Sequence, residues 1–222
     1  MAIHYKPEGL AIYTLDDIPA LFEHPDTEII HEHFKGKKFM CKLPSGELYF
    51  DSKLSLDLDG SPYWVQDRPD SQANTSNHLA DGTNLDADLI NYFVLPGGFY
   101  ARHGIGLGDV AVVIRGVWKA FACFGDVGPK HSLGEASISL HRELGNETVR
   151  GRDTVAGGIV NRKGGIDSDV ITIVFPGSGN GLKDKHGRDV SGLRNRESAA
   201  LGAPLFERLK RRATDYTKLI DI

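Results

Sequence analysis

The chain has 222 residues, of which 40% are hydrophobic and 25% charged, a composition typical of one globular domain with a sizeable core. Its 26 glycines and 10 prolines favour many turns and short strands over a helical bundle. The formal net charge is −4 and no basic stripe is visible, which argues against a nucleic-acid partner, and no apolar run approaches the length of a membrane span.

The first third of the chain predicts one short helix, several strands and a long loop. Residues 14–22 predict a helix capped by Thr14. The segments KFMCKL, ELYF and KLSLDLDG, between residues 38 and 60, predict three consecutive short strands separated by turns. Residues 66–88 are rich in turn formers and predict a long polar loop, a feature that in compact domains is usually functional or disordered.

The middle and end of the chain are more strongly patterned. INYFVLPGGF (90–99) predicts a strand ended by Pro-Gly-Gly, and residues 104–116 and 117–126 predict a hairpin that turns at Gly116. Further on, the pattern predicts a helix over 135–145 that ends at Gly145, a strand over 169–175 and an amphipathic helix that begins at Pro204. These elements indicate a β-rich core with a few helices.

Several kinds of site are poorly supported by the sequence. Cys41 and Cys123 lie in separate apolar segments without zinc spacing, and the sequence leaves open whether they pair or remain buried thiols. The DLDG segment (57–60) lacks the later ligands of a calcium loop. GSG at 177–179 does not lead into a helix as a nucleophile elbow would. We therefore predict no metal and no cofactor.

Two carboxylates remain as candidates for acid–base chemistry, in the stretch FGDVGPKHSLGEAS (124–137). Asp126 ends a bulky apolar strand, where partial burial would raise its pKa. Glu135 falls at the predicted start of a helix, where the helix dipole would lower its pKa. Carboxyl groups whose pKa values are pushed apart are typical of a general acid and a general base. From the residues alone, a turn aspartate and a helix-capping glutamate are the simpler explanation of the pattern.

The order of several segments resembles glycoside hydrolase family 75, the chitosanases best known from fungi. The resemblance runs from about Lys37 to Gly181, is most specific between Tyr92 and Leu140, and rests on the segments LDLDGSP, INYFVLPGGF, GLGDVAVV, FGDVGPKHSLGEASISL and IVFPGSGNG. It implies that Asp126 and Glu135 are the essential carboxylates and that hydrolysis of chitosan inverts the anomeric centre. It also implies secretion, although the N-terminus shows no signal peptide and the sequence leaves the compartment unknown.

Other residues of the family-like pattern are candidates for binding a polyamine substrate. Acids near the cleft would attract chitosan, and aromatic rings would stack on its sugar faces; for each of them a turn or core role is the simpler alternative. Asp109 in particular matches the aspartate that caps a turn in small psi-type barrels. The candidates are Asp57, Asp59, Asp109, Tyr63, Trp64 and Tyr100.

The combined prediction is a mainly β protein with a few helices, built as a single catalytic domain over residues 1–222. Its fold would be a small six-stranded psi-type β-barrel with peripheral helices, a family-like core at about 37–181, and extensions at 1–36 and 182–222. Its function would be endo-acting, inverting hydrolysis of the β-1,4-glucosamine linkages of chitosan. Asp126 is favoured as acid and Glu135 as base, and the sequence leaves the reverse assignment open. Alternatives are a hydrolase of another amino-sugar polymer, such as peptidoglycan, and a non-catalytic carbohydrate-binding barrel; the oligomeric state is unknown.

Overall fold

The computed structural model describes residues 18–67, 71–146, 164–179 and 192–220. Within these ranges the helices are a 3-10 helix (Ile18–Glu23), α1 (Trp64–Asp67), α2 (Phe99–Arg102), α3 (Ile138–Glu143) and α4 (Asn195–Ile220). The strands are β1 (Glu28–Ile29), β2 (Lys37–Lys42), β3 (Leu48–Asp57), β4 (Tyr92–Pro96), β5 (Val110–Arg115), β6 (Trp118–Gly128), β7 (Glu135–Ser137) and β8 (Ile166–Phe175).

Six of these strands form a closed barrel. They follow the order β3-β7-β4-β6-β5-β8, and β8 pairs back onto β3 to complete the ring, while β1 and β2 extend the sheet beyond β3. Two pairs, β3–β7 and β4–β6, are parallel, and the other pairings in the ring are antiparallel. The predicted single β-rich domain with a six-stranded barrel and peripheral helices is confirmed, as is the β5–β6 hairpin.

Both faces of the barrel wall are buried, by two different apolar clusters. Inward-facing residues such as Phe93, Val113 and Phe124 fill the barrel. Their outward-facing neighbours, including Tyr92 and Val112, pack with residues of the 3-10 helix and α4 in the second cluster. This alternation follows from the period of two along a strand. It means that a residue two positions from Tyr92, such as Val94, also lies on the outer face.

Three predicted elements differ in the structure. The segments ELYF and KLSLDLDG were predicted as two strands but form one strand, β3. This strand has a register shift between Ser52 and Leu54 in its pairing with β8, and no turn. Helix α4 begins at Asn195 and contains Pro204 in its interior. The predicted start at Pro204 is wrong because proline, although common in a first helical turn, here lies further along the helix. Thr14 lies outside the described residues.

The third difference concerns Glu135. It is the first residue of strand β7, and helix α3 begins only at Ile138, with the Ser137 hydroxyl accepting from the Leu140 N–H as its N-cap. Residues 135–137 are therefore held by pairing with β3 and β4, and this long-range pairing overrides the local helical pattern. The predicted helix end is confirmed, since Gly145 follows α3 with a left-handed φ of 66°.

Three further predictions concern the polar loop, the two cysteines and membrane-spanning helices. Residues 71–88 contain no regular helix or strand beyond one isolated bridge, His78–Asn84, as expected for a polar loop. Cys41 and Cys123 are both free and buried, which excludes a disulfide between them. None of the helices in the described ranges combines the length and the apolar run needed to cross a bilayer.

Candidate functional site

Four carboxyl groups meet in one cleft on the outer face of the barrel wall. The cleft has a volume of about 290 Å³ and is formed by the end of β3, by β4, β6 and β7, and by part of the polar loop. Its lining residues are Leu56, Asp57, Leu58, Asp59, Ser71, Gln72, Val94, Asp126, Val127, Gly128, Pro129 and Glu135. The structure thus brings together four of the residues singled out in the sequence, Asp57, Asp59, Asp126 and Glu135.

The strand register sets the spacing between Asp126 and Glu135. Val94, in β4, pairs with Asp126 of β6 on one side and with Glu135 of β7 on the other. Side chains of directly paired residues point to the same face of a sheet, so both carboxyls flank Val94 on the outer face. Strands lie about 4.8 Å apart, and two such spacings put the Cα atoms of the two acids roughly 9–10 Å apart.

A β-bulge at Gly125 turns Asp126 toward the cleft. Phe93 pairs with Phe124 but the next residue, Val94, pairs with Asp126, so Gly125 is an extra residue on β6. Without it, Asp126 would share the inward face of Phe124, two positions earlier. Only glycine fits this position, because a Cβ on Gly125 would lie 2.5 Å from the Cβ of Tyr92.

Asp126 is held by three hydrogen bonds to a single oxygen. Its Oδ1 accepts hydrogen bonds from the Ser76 N–H (2.9 Å), from the N–H of the next residue, Val127 (2.8 Å), and from the Ser76 hydroxyl. No group among the described residues donates to Oδ2. The side chain is 8% exposed, so its direction is fixed by these donors while one oxygen stays available to a ligand or a water molecule.

Glu135 lies between a cation and the other acids. On β3, Ser55 pairs with Glu135, and the side chains of Lys53 and Asp57, two residues to either side of Ser55, share the same face. Burial raises the pKa of Glu135; Lys53 lowers it, while Asp59 and Asp126 raise it further. The predicted lowering of its pKa is wrong, because Glu135 lies in a strand and not at a helix N-terminus.

Asp57 and Asp59 form a tight turn at the end of β3. The Asp59 N–H donates to Asp57 Oδ1 (2.9 Å), and Asp59 Oδ1 accepts from the N–H of Gln72 (2.7 Å) in the polar loop. Asp57 is buried, and Asp59 is half-buried at the cleft wall. One oxygen each of Asp57, Asp59 and Asp126 lie within 4.8 Å of one another. This concentration of carboxyl groups makes the cleft floor strongly acidic.

Three acids of the cleft lie close enough together to be considered as ligands of a cation. Carboxylate oxygens are the ligands that hard divalent cations prefer, and the spacing of these three would allow one. However, the Oδ1 atoms of Asp57, Asp59 and Asp126 each accept a backbone N–H, so three of the six oxygens are already engaged. We assign no metal to the cluster.

The other sequence candidates lie outside the cleft lining. Asp109 is 1% exposed, and its carboxyl accepts the N–H groups of Gly106, Gly177 and Gly179 at 2.8–2.9 Å, which joins the turn before β5 to the turn after β8. These bonds support the turn-capping role over substrate binding. Trp64 is 1% exposed and packs edge-on against the half-buried Tyr63. Tyr100 packs edge-on against Phe124 of the barrel core.

Sequence reasoning missed four residues that shape the site: Ser76, Tyr92, Lys53 and Gly125. Ser76 was detectable only as part of a polar loop long enough to suggest function. Lys53 was detectable through the strand period, since Lys53, Ser55 and Asp57 alternate along β3. Gly125 carried no signal, because a bulge depends on the partner strand and not on its own sequence.

The chain is also similar in sequence to a family of known proteins. A family model described as "Fungal chitosanase of glycosyl hydrolase group 75" matches residues 54–199, a range that contains all four cleft carboxyls. No curated protein matches the chain.

Proposed function

The chain belongs to the chitosanase family of glycosyl hydrolase group 75, and on this basis we propose that it hydrolyses the β-1,4-glucosamine linkages of chitosan with inversion. Membership establishes a glycoside hydrolase of chitosanase type acting on a polysaccharide. The linkage, the stereochemistry and the residues that act are our proposal. The observation that supports it most directly is the row Glu135–Val94–Asp126 across three neighbouring strands.

The separation of the two acids suits an inverting mechanism. Inverting glycosidases hold their acid and base about 6.5–9.5 Å apart to leave room for a water molecule, whereas retaining enzymes hold them at about 5–5.5 Å. Cα atoms roughly 9–10 Å apart, with side chains on one face, support a separation of the Asp126 and Glu135 carboxyls in the wider class. The glycosidic oxygen would bind near one acid and the water near the other.

The environments of the two acids favour the second of the two role assignments that the sequence leaves open. Glu135 has a raised pKa, which keeps a proton available for the leaving-group oxygen, so we assign it as the general acid. Asp126 receives three donors on Oδ1, an arrangement that binds a carboxylate, and its Oδ2 is available to a water molecule. We therefore assign Asp126 as the general base that activates the attacking water.

The charge of the cleft favours a cationic substrate. Chitosan carries ammonium groups, and a low-dielectric cleft lined by acids concentrates such a ligand. Asp59, half-buried at the cleft wall, would bind an ammonium group, while Asp126 and Glu135 serve the reaction. This part of the proposal predicts that affinity for the polymer falls as ionic strength rises.

A reducing-sugar assay on chitosan, chitin and peptidoglycan tests the proposed activity. We expect release of reducing ends from chitosan above the other two polymers. Greater release from peptidoglycan would identify a hydrolase of a different amino-sugar polymer. Binding to chitosan without release would identify a carbohydrate-binding barrel, and either result would contradict the proposal.

Amide variants test the two residues. Asp126→Asn and Glu135→Gln should each lower the rate on chitosan by at least about 10²-fold, the lower range for losing acid or base catalysis, with the fold retained. An aryl glucosaminide with a good leaving group separates the roles, because its departure needs little protonation. It should restore much of the rate to Glu135→Gln and none to Asp126→Asn; the opposite pattern would reverse our assignment.

A further inference from the structure

A second cavity lies beside the acidic cleft. It has a volume of about 530 Å³ and is formed by the turn after β3, the polar loop and the segment that leads into β4. We propose that this cavity binds an N-acetylglucosamine unit of the polymer whose scissile bond lies in the cleft. The inference rests on the proposed function for the identity of the polymer, but not for the binding of the acetylated sugar itself.

The two cavities share a wall. Asp59 and Gln72 line the cleft, whereas the residues that follow them, Gly60 and Ala73, line the second cavity. The Gln72 N–H donates to Asp59 Oδ1 (2.7 Å) and the Gly60 N–H donates to the Gln72 carbonyl (2.9 Å), which joins the two segments. Consecutive Cα atoms are about 3.8 Å apart, so the wall is one residue wide. Because Gln72 and Ala73 are exposed, a polymer bound in the cleft can continue across this wall.

The two cavities differ in charge. Among the described residues, four acids and no lysine, arginine or histidine line the cleft. The second cavity is lined by one acid, Asp86, and one cation, Arg194, whose charges balance. An ammonium group therefore gains attraction in the cleft but little in the second cavity, where Arg194 repels it. A neutral acetamido group carries no such penalty, so the charges favour an acetylated sugar unit at this position.

The second cavity also offers apolar surface to an acetyl group. The apolar residues that line it are Pro62, Ala73, Leu79, Leu89 and Ile90. Leu89 is 61% exposed, so its side chain is open to a ligand, while Ile90 is buried behind it. Removing an acetyl methyl group from water against such side chains is favourable, and glucosamine lacks that methyl group.

The backbone that carries Leu89 is fixed on both sides. The Leu89 N–H donates to the Asp86 carbonyl (2.9 Å), and the Leu89 carbonyl accepts from the side-chain amide of Asn195 (3.1 Å) at the start of α4. The Ile90 N–H donates to the same Asp86 carbonyl (2.9 Å). An apolar side chain on a held turn loses less conformational freedom when it contacts a ligand, so Leu89 is suited to a binding role.

Asn84 supplies a polar partner for the acetamido group. Its Oδ1 accepts from the Thr75 N–H (3.3 Å) and its Nδ2 donates to Asn74 Oδ1 (3.1 Å). A side-chain amide has two N–H groups, and no group among the described residues accepts the second one. Because Asn84 lines the second cavity, this N–H can donate to the acetamido carbonyl.

Saturation-transfer NMR with two disaccharides tests the site without relying on hydrolysis. We expect N,N′-diacetylchitobiose to receive its strongest saturation at the acetyl methyl protons. Its affinity should not change with ionic strength, whereas the affinity of non-acetylated chitobiose should fall as salt screens the acidic cleft. Leu89→Ser should weaken binding of the acetylated probe by about three- to tenfold, because apolar contact is lost.

Leu219→Ser is the matched control. It is the same substitution at a leucine that is 70% exposed and does not line the cavity, so binding of the acetylated probe should stay at the wild-type level. Both leucines are mostly exposed, and thermal unfolding should show that both variants remain folded.

Hydrolysis then tests whether the polymer uses the second cavity. The measured quantity is kcat/KM on partially acetylated chitosan divided by kcat/KM on fully deacetylated chitosan. Leu89→Ser should lower this ratio by about threefold or more, and Leu219→Ser should leave it unchanged.

The outcomes separate this site from the proposed function. Equal binding of the acetylated probe by the two leucine variants would overturn the site even if the protein hydrolyses chitosan. Loss of that binding in Leu89→Ser alone would support the site even if the protein hydrolysed no polymer, a result that would contradict the proposed function instead. An unchanged kcat/KM ratio in a Leu89→Ser variant that has lost the probe would overturn the claim that the polymer reaches the cavity.

Discussion

We predict that a single methyl group added at the Gly125 bulge lowers both the stability and the activity of the protein. In Gly125→Ala the new Cβ would lie 2.5 Å and 2.7 Å from the Cβ and Cγ of Tyr92 and 2.8 Å from the Leu85 Cδ1. Carbon atoms in contact prefer about 3.5–4.0 Å, so the bulge or the Tyr92 ring must move by roughly 1 Å.

Both consequences can be estimated from that displacement. Overpacking a buried site costs about 1–3 kcal/mol, which for a chain of this size corresponds to a fall in Tm of roughly 3–10 °C. A shift of about 1 Å in a catalytic group lowers the rate by about 10²-fold, and Asp126 is the residue next to the bulge. Thermal unfolding and chitosan hydrolysis, measured on the same preparation, test the two effects.

Gly106→Ala is the matched control for this variant. No atom lies within 4 Å of the Cβ that would be added at Gly106, and its backbone is not in the left-handed region. We expect it to leave Tm and kcat essentially unchanged. If Gly125→Ala behaved like Gly106→Ala in both assays, the bulge would not position Asp126 as we have argued.

Three further predictions follow from the charges of the cleft. Lys53→Gln removes the cation that lowers the pKa of Glu135, so the alkaline limb of the pH–rate profile should move to higher pH. Lys38→Gln is the control: it removes an exposed partner of Asp169 and should leave the alkaline limb in place. Asp59→Asn should raise KM for chitosan by roughly two- to fivefold and weaken its salt dependence, as expected for losing ~0.5–1 kcal/mol of exposed charge pairing; an unchanged KM would remove Asp59 from the binding site. A chelator such as EDTA should leave the rate unchanged, and a loss restored by a divalent cation would show that the acidic cluster holds a metal.

Local patterns in the sequence predicted most of the barrel but not the way its strands combine. The β5–β6 hairpin was predictable because its turn and apolar runs are adjacent in the chain. Strand β7 was not, because Glu135–Ser137 lies next to a helix and becomes a strand only through pairing with β3 and β4, which are distant in sequence. The same difference explains why β3, which pairs with the distant strand β8, was predicted as two strands. The start of α4 was misplaced for a local reason, the position of Pro204 inside the helix.

In the candidate site, too, the identities of the residues were predictable from local sequence but their environments were not. Asp126, Glu135, Asp57 and Asp59 were predictable as a group, because they lie in segments with a family-like order. Their environments were not: the direction of the pKa shift of Glu135 depends on its burial in a strand beside Lys53, and no local pattern encodes that contact. Asp109 shows the reverse case, where a conspicuous acid proves to be engaged by backbone N–H groups.

The stereochemistry of hydrolysis tests the central claim most directly, because it depends on the spacing that the strand register imposes on Asp126 and Glu135. Proton NMR of the first products released from chitosan distinguishes the two anomers before mutarotation mixes them. Acids separated by two strand spacings predict that the α anomer forms first. Initial formation of the β anomer would show that the acids act at the shorter distance of a retaining pair and would contradict the proposed mechanism.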